Sequence, residues 1–281
     1  MLPAGAGREG ALLALWHPCE GPPRGAVLYV HPFAEEMNKS RRMAALQCRA
    51  LAANGYATLQ IDLKGCGESS GEFGDATWAD WVDDVLTAAH WLRQRCSAPL
   101  TLWGLRAGCL IAADAAAQWP EVCNFVFWQP TPSGGAVLRQ FLRHAAAAAF
   151  LDGGGKGVVE SLRKQLAAGQ TVEVGGYRVH PALAAKLEQS RLLPPPRPGR
   201  VSWLEISALA ADAAMPATLH AASAAAALPW QEAALAFDAQ VVTGPPFWQT
   251  AEIETAPALI EATLAAFGRR MPVPGELAAR E

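Results

Sequence analysis

The 281-residue sequence predicts an α/β fold, a mostly parallel sheet covered by helices on both faces. Three observations carry this. Short β-branched and aromatic runs alternate with segments of helical period over the first 130 residues. The connections between them are short, as parallel strands joined by crossover helices require. Apolar residues make up 51% and charged residues only 17%, against ~25% charged in an average soluble chain, so there is enough apolar matter for a large buried core. The length suits one large domain or a small pair.

Taken in order, Ala26–His31 (AVLYVH) reads as a buried strand. Ser40–Asn54 carries Met43, Leu46 and Leu51 at helical spacing, and Asn54-Gly55 closes it. Tyr56–Leu63 is a second strand, followed by the glycine-rich loop Lys64–Gly74. Thr77 suits the N-cap of a helix running to about Gln94. Leu100–Trp103, Cys109–Trp119 and Val122–Gln129 continue as strand, helix and strand. The segment Ala11–Trp16, joined by the turn-like Cys19–Gly25, is expected to add an antiparallel hairpin at the sheet edge.

The pattern changes at Thr131. From there to Arg200 come an alanine-rich helix, the flexible run Gly153–Gly157, further helices and a stiff Pro194–Pro198 segment, with no strand–helix alternation. Val201–Ser207 and Ala239–Thr243 then resume as strands, and Ala258–Phe267 is a closing helix. The alanine stretches at 145–149 and 221–227 read as helix-favouring composition or a close-packed surface. One core, 1–130 plus 201–281, with an insertion at 131–200 over one end of the sheet, accounts for the whole length. A separate small helical domain is the alternative.

Composition removes several functions. Lys+Arg 23 against Asp+Glu 26 leaves −3, with no basic stripe to neutralise phosphates, so a nucleic-acid partner is not expected. No apolar run approaches the ~18 residues of a membrane span. Met1–Trp16 has too short an apolar patch and no basic leader for a secretion signal, so a cytoplasmic location is expected. Cys19, Cys48, Cys66, Cys96, Cys109 and Cys123 are scattered without a CxxC pair and read as free thiols. His17, His90, His144, His180 and His220 stand singly, so neither a metal nor a cofactor is implied.

The informative stretch is Leu100–Gly108, LTLWGLRAG, with a helix after it. Strand, Gly-x-X-x-Gly, helix is the layout of a nucleophile elbow, where two glycines let backbones pass closely around a strained residue. Two further loops stand in the matching order: His31-Pro32-Phe33 after the first strand, and Asp62-Leu63-Lys64-Gly65-Cys66-Gly67-Glu68-Ser69 after the second. The series resembles the α/β-hydrolase family, with its histidine-containing oxyanion loop, D-x-x-G-x-G-x-S loop and elbow. The resemblance covers nearly the whole chain and makes residues 131–200 the family's lid. Within the family, HPFAEEMNKSRRM, QIDLKGCGESSG, GLRAG and GPPFWQTAEIE resemble the branch named exosortase A system-associated hydrolase 2. That resemblance implies a link to exopolysaccharide biosynthesis and PEP-CTERM protein-sorting loci of Gram-negative bacteria.

The chain departs from the family pattern at two triad positions. The central elbow residue, a serine nucleophile in the family, is Arg106 here, and arginine stays protonated and cannot attack an acyl carbon. The family's base is a histidine after the last strand, where this chain has Gly244-Pro245-Pro246-Phe247-Trp248, and no histidine follows His220. The acid would follow Val201–Ser207, where Asp212 is the nearest candidate. Pro32 supplies no N–H where the family commonly has glycine, which compromises the oxyanion loop. Two roles lost far apart in sequence indicate loss of Ser–His–Asp chemistry. Cys109, in the first turn of its helix, is the weak substitute nucleophile, since a helix N-terminus lowers a thiol pKa. A small buried cysteine is the plainer reading.

A cation at a helix N-terminus opposes the macrodipole by ~0.3–1 kcal/mol, so Arg106 requires an anion. Either Glu35, Glu36 or Asp62 supplies it, or the elbow N–H groups and Arg106 together bind a carboxylate or phosphate ligand. The candidate pocket is Leu105, Arg106 and Ala107 with His31, Phe33, Glu35, Glu36, Phe247 and Trp248. Its expected ligand is a small acyl, sugar-ester or anionic molecule. His31 reads as a structural histidine bonded to nearby backbone, and Asp62 as an anchor for its own loop. Three functions stay open: a silent binding protein that kept the pocket, a hydrolase with a non-standard nucleophile, and a scaffold for a pathway partner. The oligomeric state is also open.

Overall fold

A computed structural model describes residues 1–5, 8–151, 157–208 and 218–268. Along the chain come β1 (Leu2–Pro3), β2 (Ala11–Leu12), β3 (Ala14–His17), β4 (Gly25–Val30), α1 (Glu35–Ala53) and β5 (Tyr56–Ile61). After a 3₁₀ turn at Phe73–Asp75 follow α2 (Trp78–Arg95), β6 (Leu100–Leu105), α3 (Ala107–Gln118), β7 (Cys123–Trp128) and α4 (Gly134–Leu151). Then come α5 (Val158–Ala167), β8 (Val172–Val174), β9 (Tyr177–Val179) and α6 (Pro181–Gln189). The chain continues with β10 (Pro198–Ser207), α7 (Ala221–Ala233), β11 (Ala236–Thr243) and α8 (Pro257–Gly268).

Seven strands form one sheet in the order β11-β10-β7-β6-β4-β5-β3, all parallel except β3, which pairs antiparallel with β5. Every residue of β4, β5 and β6 is buried, as expected of strands covered on both faces. Met43, Ala44, Cys48 and Leu51 of α1 and Leu259 and Ala262 of α8 pack on one face. Helices α2 and α3, with Trp230 of α7, pack on the other. Thr77 caps α2 in a reciprocal capping box with Asp80, an arrangement worth ~1 kcal/mol.

The edge differs from the expected hairpin. β4 already has β5 and β6 as neighbours, so the incoming strand cannot fold back on it. It pairs instead with β5, placing Ala14 opposite Ile61. The 131–200 segment also contains a hairpin where no strand was expected. Gly175 and Gly176, at φ 57° and 83°, turn β8 into β9, and two positive-φ residues between short apolar runs are the usual tight-hairpin signal. Helix α1 begins at Glu35 rather than Ser40, because the chain turns sharply at Ala34 (φ 50°, ψ −127°). The 221–227 alanines belong to α7, whose Trp230 is fully buried. The Gly153–Gly157 run and Asp212 lie outside the described residues, apart from Gly157.

Within 131–200, α4 packs on α6 and α3, and a bridge between Ser133 and Arg191 ties the two ends of the segment together. This brings α4 over the C-terminal ends of the central strands, where β6 runs into α3.

Candidate functional site

The turn from β6 to α3 has Arg106 at its apex, at φ 54° and ψ −118°. This conformation costs a non-glycine residue of order 1–3 kcal/mol. The flanking glycines make it attainable. A Cβ on Gly108 would lie 2.2 Å from the Val30 carbonyl oxygen, and one on Gly104 would lie 2.7 Å from the Cys109 backbone. The Arg106 N–H donates to the Trp128 carbonyl at 3.0 Å, and Cys109 N–H donates to the Arg106 carbonyl at 3.1 Å. The elbow backbone is therefore complete, with arginine at its apex.

The guanidinium is mostly buried and engaged. Arg106 Nε and Nη2 both donate to Glu36 Oε1, at 3.3 and 3.2 Å, and Nη2 donates to Gln140 Oε1 of α4 at 2.8 Å. The Trp248 ring centroid lies 5.7 Å from the guanidinium carbon, within cation–π range. Of the three candidate anions, Glu36 is the partner. Glu35 faces His144 at 3.5 Å, and Asp62 accepts from Arg41 at 2.8 Å and from the Glu68 N–H at 3.2 Å.

Glu36 stands in the first turn of α1, which suits an anion. Burial nevertheless raises its pKa above the usual carboxylate value, with Arg106 opposing the shift. Its Oε2 has no hydrogen-bond partner among the described residues. The cavity beside it, lined by Phe33, Glu35, Glu36, Val137, Gln140 and Phe141, measures only about 10 Å³, roughly the room for one water. Aromatic rings fill the space around it, with Phe33 edge-on to Phe73, Trp81 and Phe141.

His31 is a backbone clamp. Its Nε2 accepts the Leu63 N–H at 3.1 Å, leaving Nδ1 to donate to the Pro32 carbonyl at 2.8 Å. Burial lowers its pKa. The ring thus joins the ends of β4 and β5 and is held neutral.

Cys109 is a small buried cysteine, the plainer of its two sequence readings, and not an activated thiol. It is fully buried, its Sγ lies 4.0 Å from the Trp128 carbonyl, and burial lifts its pKa far above the normal thiol value despite Arg106 nearby. Desolvation outweighs the helix terminus. Among the described residues no histidine bonds to Cys109 or Arg106.

Of the nine pocket candidates, Arg106, Glu36 and Trp248 meet, and Phe33 and Glu35 border the small cavity. Leu105, Ala107 and Phe247 are core residues, each at most 1% exposed, and Phe247 packs edge-on to Trp128. The sequence reading missed Gln140, a polar residue in an apolar helix whose role depends on α4 docking over the elbow. No metal-binding cluster of His, Cys, Asp or Glu is present among the described residues.

A mostly parallel sheet flanked by helices, with a strained strand-to-helix elbow, is the α/β-hydrolase fold. The hydrolase family model described as serine aminopeptidase, S33, matches residues 21–151. A thermostable monoacylglycerol lipase from Bacillus sp. (strain H-257) is 32% identical over 100 residues, which is 36% of this chain and 38% of the lipase. Among solved structures, Est1E of Butyrivibrio proteoclasticus with bound ferulic acid superposes with a TM-score of 0.59 at 18% identity, over 92% of both chains. An Agrobacterium vitis S4 protein described as a putative hydrolase gives 0.57 at 16% identity, over 95% of this chain and 97% of its own. At these identities the structures establish the fold.

Proposed function

We propose that this is a catalytically silent α/β-hydrolase-fold protein whose elbow cleft serves as an anion-favouring binding site. Residues 131–200 act as its cap over a core of 1–130 and 201–281. One observation carries the reading: an arginine occupies the seat of the nucleophile and holds an internal carboxylate, Glu36, 3.2 Å from Nη2. A guanidinium cannot form an acyl-enzyme, and Trp248 stacks on it from the loop where the family's histidine would stand. The ligand class is a small acyl, sugar-ester or anionic molecule whose carboxylate or phosphate takes the place of the Glu36 carboxylate on the guanidinium, because the cavity beside the pair has room for only about one water. Resemblance to the exosortase-associated branch assigns it to exopolysaccharide and protein-sorting systems.

The alternative is an active ester or acyl hydrolase, favoured by the lipase and esterase names among the relatives. Burial of the Cys109 thiol weighs against it. A thermal-shift screen with acyl carboxylates and sugar phosphates tests the binding reading. Anions are expected to stabilise Glu36→Gln more than wild type, and Arg106→Ala not at all. Equal shifts in all three proteins would remove the elbow from the account.

A further inference from the structure

We propose that the elbow takes up a monoanion, a small carboxylate, together with one proton that Glu36 carries. This rests on the reading of the elbow as an anion-favouring site, and it adds which anion is accepted and what controls its entry.

The charge count at the elbow is closed. Arg106 brings one fixed positive charge, and Glu36 Oε1 accepts from both its Nε and its Nη2. The third contact, Gln140 Oε1 on Nη2, is neutral. The charged groups around Glu36 are few: Arg106 from the elbow, His144 from α4, and Glu35 and Lys39 from α1 itself. His144 is taken up by Glu35, and Lys39 Nζ donates to the Ala251 carbonyl at 2.7 Å. The loop 244–248 turns an indole to the guanidinium and carries no charged residue. An entering anion therefore sets two negative charges against one guanidinium, and two carboxylates at such a site cannot both stay ionised.

Which of them gives way follows from where Glu36 can go. It is 7% exposed, and the space open beside it is the cavity of about 10 Å³ walled by Phe33, Val137 and Phe141. Its Oε2 already lacks a hydrogen-bond partner among the described residues. A Glu36 carboxyl turned off the guanidinium meets apolar walls, where desolvation favours the neutral form and a proton is taken up. That same burial raises its pKa even with Arg106 in contact. The entering carboxylate keeps its charge on the guanidinium. Trp248 Nε1, buried and without a partner among the described residues, is a further donor on the residue stacked there. A dianion fits badly, because one guanidinium and a neutral Glu36 leave one of its charges buried and uncompensated under α4.

The test is titration calorimetry of the full chain with acetate and with sulfate, in buffers of different ionisation enthalpy, between pH ~6 and ~8 where a simple carboxylate is ionised. Uptake of one proton per acetate is expected, with Kd rising about tenfold per pH unit. Glu36→Gln is expected to bind acetate more tightly, with no proton uptake and a flat profile, while His144→Gln keeps the wild-type slope. Sulfate is expected to bind at least about tenfold more weakly than acetate. Acetate bound by the wild type without proton uptake would mean that Glu36 leaves as a carboxylate, and would overturn the proposal while the elbow remained an anion site. So would sulfate bound as tightly as acetate, or a slope that vanishes in His144→Gln and survives in Glu36→Gln. Acetate bound equally well by Arg106→Ala, or by none of these proteins, would overturn the elbow reading and this proposal together.

Discussion

Two strand-to-helix turns of nearly the same backbone shape face each other in this protein. Ala34, between β4 and α1, has φ 50° and ψ −127°, and Arg106, between β6 and α3, has φ 54° and ψ −118°. At the first turn the strained residue is a methyl group in the core, and the helix behind it supplies Glu36. At the second, the strained residue projects a cation toward that same Glu36. The elbow conformation is thus separable from the chemistry usually mounted on it: tight backbone passage sets the shape, and the apex side chain is whatever the neighbourhood can neutralise.

The comparison can be broken most forcefully at Gly108. Its hydrogen faces the Val30 carbonyl, so Gly108→Ala is expected to lose roughly 3 kcal/mol or more, measured by urea unfolding. A loss under ~1 kcal/mol would mean that the elbow does not depend on that approach.

The charge pair comes next. Glu36→Ala leaves a buried guanidinium that cannot shed its proton, whereas Arg106→Ala leaves a carboxyl that can take one up. Breaking a buried pair costs about 3–5 kcal/mol when the remaining charge is trapped. Glu36→Ala is therefore expected near that range and Arg106→Ala clearly below it. The reverse order would show that Glu36 is not the neutralising partner.

The pair also sets a pH signature. The folded protein holds the Glu36 pKa above its unfolded value of ~4.3. The unfolded chain therefore gives up its proton first as pH rises, and this group's contribution to stability falls through the window above pH ~4.3. The Tm of Glu36→Gln is expected to gain on wild type as pH is raised from 4 to 8. His31 runs in the other direction. Its folded pKa is depressed, so stability is lost as pH drops below ~6.5, where only the unfolded chain takes the proton. Its imidazole resonances are expected to move to the charged form at a lower pH than those of the unfolded chain.

The smallest effect tests the likeness of the turns themselves. Glycine accepts positive φ freely, so Ala34→Gly is expected to gain about 0.5–1 kcal/mol, and Arg106→Gly to exceed Arg106→Ala by a similar amount. Gains that differ widely would show that the two turns are strained to different degrees.

Much of this was legible in the sequence because it rests on local rules. The Thr77 cap, the Asn54-Gly55 stop, the buried strands and the G-L-R-A-G elbow all follow from residues within a few positions of one another. The Gly175-Gly176 hairpin was equally local, but it was hidden by the surrounding helical composition. What could not be read was pairing across the fold. Choosing Glu36 over Glu35 depends on which side of α1 faces the elbow, and that is set by where the sharp turn at Ala34 starts the helix. Gln140 depends on the docking of α4. The buried state of Cys109 agrees with the plainer of its two sequence readings, and desolvation there outweighs the helix terminus.

The central claim is that Arg106, neutralised by Glu36, has replaced acyl-transfer chemistry at the elbow. The direct measurement is hydrolysis of p-nitrophenyl esters by the full chain, with covalent serine- and cysteine-directed probes read by intact mass. The account predicts no turnover above the uncatalysed rate and no adduct on any elbow residue. Turnover that disappears in Cys109→Ala, with a probe adduct on Cys109, would contradict it.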